Sequence, residues 1–189
     1  MTQTNPALPA IGLFYLILGG AAAALVHVLD IEIVFLPRDA PAKAALGVVL
    51  GLGFALAVVL FSGFGSDRFV WVRALEAEFR RVLGPMSDSD AFLAAVLSGA
   101  AEELLFRGAL QPLLGYPVAS LAFGLVHVGP GKKFLPWTVF AIVAGFAFGG
   151  LVHLGFGLLP AMLSHGLINF LNLRRLGREE GDEGPFAGA

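Results

Sequence analysis

Six apolar runs set the limits on what this chain can fold into. A helix needs about 20 apolar residues to cross the roughly 30 Å hydrocarbon core of a bilayer. Runs near that length recur here between charged residues, prolines and glycines. The predicted spans are residues 8–29, 42–64, 90–110, 112–129, 136–154 and 157–173. We therefore predict an all-α integral membrane protein, a bundle of about six transmembrane helices.

Composition places the whole chain in the same class. Of the 189 residues, 57% are hydrophobic and 14% are charged, and the mean hydropathy is +0.83. These values lie outside the usage of soluble proteins. The net charge of -2, with no large basic cluster, argues against nucleic acid as a partner. The absence of cysteine excludes disulfides, thiolate metal ligands and cysteine nucleophiles.

One segment between the second and third spans has a different pattern. Within residues 66–85, apolar side chains at helical spacing oppose charged ones, a pattern typical of an amphipathic helix lying in the membrane interface. The apolar positions are Phe69, Val72, Leu75, Phe79 and Val82, and the charged ones are Arg73, Glu76, Arg80 and Arg81. We predict one structural domain with three parts: an N-terminal region of two spans and this helix (1–86), a catalytic core (87–173) and a flexible acidic tail (174–189).

The distribution of basic residues predicts the orientation, because Lys and Arg collect in cytoplasmic loops. One side of the predicted bundle carries most of them: Arg68, Arg73, Arg80, Arg81, Lys132, Lys133, Arg174, Arg175 and Arg178. The other side has only Arg38 and Lys43. Both termini are therefore predicted to face the cytoplasm. The richness in Ala, Gly, Leu and Arg is typical of a high-GC bacterium, so the expected location is the inner (plasma) membrane.

Charged residues inside the third span need an explanation. Glu102, Glu103 and Arg107 follow an apolar run, and each costs about 2.5–3.5 kcal/mol at mid-bilayer. Glu103 and Arg107 lie four residues apart on one helical face, whereas Glu102 is turned by about 100°. Glu103 can therefore be fixed by Arg107 while Glu102 is free to take part in chemistry. A purely structural ion pair that locks two helices remains the alternative interpretation of this stretch alone.

Two further spans also carry polar groups at helical spacing. Phe123 and His127 are four residues apart, as are His165 and Asn169. A single histidine in a span is usually a hydrogen-bonded core residue. Two histidines, an asparagine and two glutamates on three spans are instead typical of an intramembrane catalytic or ion site.

The order Glu-Glu-x-x-x-Arg, Phe-x-x-x-His and His-x-x-x-Asn, each on its own apolar helix, resembles the CAAX protease and bacteriocin-processing family of intramembrane endopeptidases. The match covers about residues 87–173. The resemblance implies that Glu102 activates water with help from His127, and that Glu103 and Arg107 support the site. It further implies that His165 and Asn169 stabilise the oxyanion or contribute to a metal site.

The chemistry of the residues allows two mechanisms. A glutamate in a low-dielectric pocket can serve as the base, with Asn169 as an uncharged oxyanion donor. A zinc ion held by His127, His165 and Glu102 is also sound coordination chemistry. We favour the mechanism without a cofactor because asparagine is a poor zinc ligand and a good oxyanion donor. Phe123 is predicted to form an aromatic wall beside His127.

Other types of membrane protein also place polar residues inside their spans. No His-Glu-x-x-His and no Gly-x-Ser-x-Gly is present, and the only aspartate in a predicted span is Asp90, the first residue of the third span. A non-proteolytic membrane protein that binds a peptide, such as an immunity or regulatory factor, is the main alternative. An ion transporter would be expected to show inverted repeats or broken helices, and the sequence shows neither. The expected partners are the lipid bilayer and a membrane-anchored peptide or protein, cut near its C-terminus.

Overall fold

Every regular element of the described chain is helical. The computed structural model describes residues 5–182, and side chains as far as residue 177. This range contains no strand. Its α-helices are α1 (Leu8–Val28), α2 (Pro41–Arg68), α3 (Val70–Leu83), α4 (Asp88–Glu103), α5 (Gln111–Leu114), α6 (Tyr116–Leu125), α7 (Leu135–His153) and α8 (Leu158–Asp182). A π-helix (Leu104–Leu110) joins α4 to α5, and a 3₁₀ turn (Lys132–Phe134) precedes α7.

The distribution of apolar side chains identifies an all-α membrane protein. Three helical segments are long and apolar enough to cross a membrane: Leu8–Val28, Pro41–Arg68 and Lys132–His153. Large apolar side chains of α1 and α2 point outward, including Leu16, Ile17, Leu60 and Phe61, each more than 60% exposed. Charged groups such as Glu103 and Arg107 are buried instead. This arrangement is the reverse of the one found in soluble proteins.

Several helix boundaries differ from the sequence-based prediction. The third predicted span does not end at residue 110, because the π-helix and α5 continue it to Leu114. Pro112 lies within this continuous stretch, where its missing N–H removes one backbone hydrogen bond of the helix. The chain turns at Gly115, whose φ of 84° suits glycine. Helix α6 then ends at Leu125, four residues before the predicted end at 129.

The C-terminal helix is longer than its apolar run. Helix α8 continues past residue 173 to Asp182, so the first part of the predicted tail is helical. Residues 183–189 of that tail lie outside the described residues. The division of the chain at residues 86 and 173 stays a prediction.

Glycines allow the helices of the core to cross closely. A Cβ at Gly99 of α4 would lie 2.9 Å from the backbone nitrogen of Gly166 in α8. The glycine-spaced runs 47–51 and 145–149 also lie at crossings: a Cβ at Gly51 would meet the Pro160 carbonyl at 2.7 Å, and one at Gly145 would meet the Ser120 carbonyl at 2.6 Å. The backbones of α4, α6, α7 and α8 therefore approach closely around one centre.

Helix α1 starts beside α4. The Ser87 side chain caps α4 in a capping box with Asp90. The Asp90 carboxylate also accepts a hydrogen bond from the Asn5 backbone at 3.2 Å. Further along, Gly12 faces Leu97 and Gly19 faces Ala101. The two helices thus run side by side in the same direction from a common end.

The predicted amphipathic segment forms helix α3. Its Glu76 pairs with Arg175 of α8 and hydrogen-bonds Ser66 of α2. Its Phe79 packs edge-on against Phe134 and Trp137, with ring centroids 5.6 Å and 5.2 Å away. One face of α3 therefore packs against the end of the bundle at which α7 begins.

Candidate active site

The innermost part of the site is an ion-paired cluster on α4, the π-helix and α8. Arg107 Nε lies 3.2 Å from Glu103 Oε2, and both side chains are completely buried. The other Glu103 oxygen, Oε1, lies 2.8 Å from His165 Nδ1. The four-residue spacing predicted the first contact, and the crossing of α4 with α8 supplies the second. We call Glu103, Arg107 and His165 the inner cluster.

Aromatic rings enclose the Arg107 guanidinium. Its Cζ lies 4.2 Å from the centre of the Phe123 ring, with Phe148 and Phe106 at 5.6 Å and 5.8 Å. Arg107 Nη2 also donates to the Gly145 carbonyl at 3.0 Å. Cation–π contacts of this kind are worth about 2 kcal/mol when desolvated. Burial of the charge is therefore compensated by a carboxylate, a carbonyl and ring faces together.

The outer part of the site is the pair Glu102 and His127. His127 Nε2 lies 3.3 Å from Glu102 Oε2, and the two side chains are 18% and 10% exposed. His127 Nδ1 lies 2.6 Å from the Phe123 carbonyl oxygen. Because a carbonyl oxygen can only accept, Nδ1 carries a proton and donates it. Nε2 is thus the nitrogen that can take up or release a proton beside Glu102.

The charges around this pair favour a shared proton. Two carboxylates face a single arginine, which leaves one negative charge when both histidines are neutral. Nε2 of neutral His127 and an ionised Glu102 would also be two acceptors pointing at each other. One proton held between Glu102 and His127 removes both problems. A pair that shares a proton titrates as a unit and is suited to general acid–base chemistry.

Asn169 is held by a hydroxyl of the neighbouring helix. Its Nδ2 donates to Ser98 Oγ at 2.9 Å, and Ser98 in turn donates to the Ala95 carbonyl at 3.2 Å. An amide nitrogen carries two protons, so one remains available to a ligand. Ser98 lies one turn before Glu102 on α4. It therefore fixes the position of Asn169 relative to the carboxylate.

A small cavity opens beside these side chains. Its volume is about 20 Å³, which holds a single water molecule but no peptide. The polar lining comes from His127, His165 and Asn169. The remaining lining is apolar and aromatic: Phe123, Trp137, Phe140, Ala141, Ala144, Phe148 and Ile168. Glu102 adjoins the cavity through its contact with His127.

The predicted zinc ligands do not come together as a set. Within residues 5–177, no three His, Asp or Glu side chains are placed to hold a metal ion. His165 Nδ1 is engaged by Glu103, and His127 Nδ1 by the Phe123 carbonyl. These contacts leave Nε2 of each ring as the nitrogen that could bind a metal. Glu102, His127 and His165 nevertheless do not fit zinc in this arrangement, because the three side chains are not placed to hold one ion.

Several residues of the site carried no signal in the sequence. Trp137 lies beside His127 with ring centroids 5.8 Å apart, and Phe148 stacks on His165 at 5.1 Å. Both resemble the many other aromatic residues of the spans, and only three-dimensional contact distinguishes them. The π-helix was also missed. Such segments are frequent at functional sites because they change the direction of the side chains that follow.

The seven candidate residues from the sequence lie in one region of the bundle, linked mainly by pairwise contacts. Glu102, Glu103 and Arg107 come from α4 and the π-helix. Phe123 lies on α6, His127 just after it, and His165 with Asn169 on α8. The Phe123 ring lies 4.5 Å from that of His127 and 5.7 Å from that of His165. The expected convergence of three spans is thus present in the structure.

Comparison with known proteins supports the resemblance drawn from the motifs. Residues 89–171 match the family model described as Rce1-like, type II CAAX prenyl endopeptidase Rce1-like. No curated protein and no solved structure gives a significant match. The matched segment contains all three motifs and the helices that carry them. Residues 89–171 of this chain are therefore similar to the CAAX protease family.

Proposed function

We propose that this protein is an intramembrane endopeptidase that hydrolyses a peptide bond of a membrane-associated protein. The observation that carries the proposal is the Glu102–His127 pair beside a cavity lined by His165 and Asn169. The pair offers a base for water, and the opposite wall offers donors for an oxyanion. The family match over residues 89–171 supports the same type of activity.

The reaction is a general-base hydrolysis. Glu102, with His127, takes a proton from water, and the resulting hydroxide oxygen bonds to the carbonyl carbon of the substrate. Asn169 Nδ2 donates to the oxyanion of the tetrahedral intermediate, and His165 donates to it through Nε2 in its doubly protonated form, in which Nδ1 still donates to Glu103. The proton held by the pair passes to the leaving nitrogen as the C–N bond breaks. The products are a new carboxylate and a new amine.

Glu103, Arg107 and Phe123 are assigned supporting roles. Glu103 holds His165 at Nδ1, so that its other ring nitrogen points toward the cavity it lines. Arg107 balances the charge of Glu103, and Phe123 covers the guanidinium. None of these three is required to exchange a proton with substrate.

The position of the protein in the cell is part of the proposal. We propose six crossings, made by α1, α2, α4 with its continuation to Leu114, α6, α7 and α8, with both termini in the cytoplasm of a bacterium. Helix α3 then lies in the interface of the plasma membrane, on the side where Lys132 and Lys133 are found. A peptide segment enters between helices, because the cavity of about 20 Å³ holds only water until they separate.

The substrate is proposed to be a membrane-anchored protein cut near its C-terminus. The apolar and aromatic lining of the cavity suits an apolar side chain beside the cut bond. We propose a mechanism with no resident metal, since the ligands are not grouped around a common point. Activity that disappears with a chelator and returns with zinc would contradict the metal-free mechanism but not the proposed protease activity.

The central test compares the membrane proteomes of cells that produce the wild-type protein or Glu102→Gln. Protein C-termini are mapped by mass spectrometry after growth in water enriched in oxygen-18. The expected result is a set of new C-termini that carry one heavy oxygen in wild-type cells and are absent with Glu102→Gln. Glu78→Gln, the same exchange on the surface of α3, is the matched control and should keep these termini.

The main competing function is peptide binding without cleavage. It would be supported if both the wild-type protein and Glu102→Gln captured the same membrane peptides and neither produced a new C-terminus. The purified protein in vesicles can be tested directly, by crosslinking the captured peptides and measuring their mass. An intact mass after prolonged incubation with the wild-type protein would overturn the proposed protease activity.

A further inference from the structure

One hydrogen-bonding side chain interrupts the apolar surface of α1. Between Leu8 and Val26, Tyr15 is the only residue with a polar side-chain group. Its neighbours in sequence, Phe14 and Leu16, are 58% and 64% exposed, as expected for residues that face lipid. Tyr15 is only partly exposed. A phenol that turns away from this surface needs a partner for its hydroxyl.

Packing of α1 on α4 directs Tyr15 toward the site. Gly12, Tyr15 and Gly19 lie on one helical face, spaced three and four residues apart. Gly12 approaches Leu97, and a Cβ at Gly19 would lie 3.4 Å from that of Ala101. Small residues on both sides of Tyr15 thus bring α1 against the turns of α4 that precede and contain Glu102. This packing turns the Tyr15 side chain toward α4, where it comes close enough to the Glu102 carboxylate to interact with it.

We infer that Tyr15 is a positioning residue for the proposed protease: its hydroxyl donates to Glu102 and holds that carboxylate against His127. The effect of Tyr15 on catalysis rests on the proposed function, whereas the contact between Tyr15 and Glu102 does not. It also assigns a part of the site to the N-terminal region, outside the segment 89–171 that matches the family model. The first span would then complete the site rather than only surround it.

The surroundings of Glu102 show why one more donor matters. The titratable groups that face it are Tyr15 of α1, Arg107 of the π-helix, His127 after α6 and His165 of α8. His153, the one titratable residue of α7, stacks on Tyr116 instead. His127 contacts Glu102 from one side only, at 3.3 Å. Without a second contact, the carboxylate is free to rotate away from the imidazole.

The chain provides a matched control, because it contains two tyrosines. Tyr116 donates its hydroxyl to the Phe146 carbonyl at 2.9 Å, away from the pair. Tyr15→Phe is expected to lower kcat about tenfold with KM unchanged and with a loss of thermal stability no larger than that of Tyr116→Phe. Tyr116→Phe removes a hydroxyl of equal size and should leave kcat unchanged while lowering thermal stability.

The pH–rate profile separates positioning from packing. A hydroxyl donor favours the ionised carboxylate, so its loss makes Glu102 easier to protonate. The acidic limb of the profile should therefore move to higher pH in Tyr15→Phe and stay in place in Tyr116→Phe. Unchanged kcat and an unchanged acidic limb in Tyr15→Phe would overturn the inference.

A measurement without substrate distinguishes failure of this inference from failure of the proposed function. Tyrosine labelled with carbon-13 at Cζ gives two resonances, which the two Phe variants assign. Exchange of Glu102 for Gln should shift the Tyr15 resonance and leave that of Tyr116 unchanged. If wild-type protein cleaves nothing but this shift occurs, the contact stands and the protease proposal fails. If cleavage occurs without the shift, Tyr15 has no positioning role.

Discussion

The two adjacent glutamates of α4 occupy opposite kinds of surroundings. Glu103 is completely buried, paired with Arg107 and held by His165. Glu102 is 10% exposed and faces His127, whose ring lines the cavity. One residue along the helix therefore separates a carboxylate with fixed partners from one that can exchange a proton.

This difference indicates how a membrane protein can keep a reactive carboxylate in an apolar bundle. In the inner cluster, the arginine balances the charge of Glu103, and a carbonyl and three aromatic rings contact the buried guanidinium. It joins the π-helix to α6, α7 and α8. The outer pair rests on this frame and needs only one proton to become neutral. The proposed mechanism thus divides structural and chemical roles between neighbouring residues.

Exchange of Glu102 for Gln is expected to have the largest effect on activity. Loss of a general base lowers rates by about 10²–10⁴-fold, and glutamine cannot accept the proton of water. The variant should keep the thermal stability of the wild-type protein, because the amide has nearly the same shape and Glu102 lies at the edge of the cluster. Peptide cleavage in vesicles and thermal unfolding in detergent measure the two properties. Unimpaired cleavage would assign the chemistry elsewhere.

Removal of Arg107 should have the largest effect on stability. Breaking a buried ion pair from one side costs about 3–5 kcal/mol, because the remaining carboxylate is left unpaired. Arg107→Ala should therefore unfold at lower temperature and lose activity as a result. Glu103→Gln, which leaves no unpaired carboxylate, restores part of the stability when combined with Arg107→Ala. A stable and fully active Arg107→Ala protein would contradict the supporting role.

Much of this architecture follows from patterns within single helices. Apolar length predicted the helices, and four-residue spacing predicted that Glu103 would meet Arg107. Contacts between helices were not predictable in the same way: nothing local indicates that His165 bonds Glu103 or that Ser98 holds Asn169. The boundaries near Gly115 and Leu125 were missed because apolarity continues across them while the backbone turns. Tyr15, Trp137 and Phe148 belong to apolar stretches in which aromatic residues are common.

Asn169→Ala is expected to reduce turnover less than loss of Glu102. An oxyanion donor contributes about 10²–10³-fold to kcat, and its removal affects the transition state more than substrate binding. KM should therefore change little. Ser98→Ala is the informative companion, because it removes the acceptor that orients the amide while leaving Asn169 in place. It should lower kcat by a smaller factor. If Asn169→Ala leaves kcat unchanged, Asn169 has no part in the mechanism, whatever happens to KM.

The smallest effect is expected at Glu78, a carboxylate in a third kind of surroundings. It lies on α3 and accepts hydrogen bonds from Lys133 Nζ and Arg81 Nη2, at 2.8 Å each. The Lys133 hydrogen bond, followed by that of Arg81, holds the pKa of Glu78 below its usual value. A carboxyl group whose pKa is lower in the folded than in the unfolded protein stabilises the fold at pH values above its unfolded-state pKa. This stabilisation is lost as the pH falls through the lowered, folded-state pKa.

Glu78→Gln should therefore lower the thermal stability slightly at neutral pH and not at all at a pH below that of carboxyl ionisation. Added salt should reduce the difference, because the charges are exposed and screened. The Arg107→Ala difference should persist in the same salt, since Arg107 and Glu103 are shielded from solvent. Melting curves of the three proteins over a series of salt concentrations make this comparison. A salt-sensitive Arg107 effect would mean that water reaches the inner cluster, and the division between a sealed frame and an accessible pair would then fail.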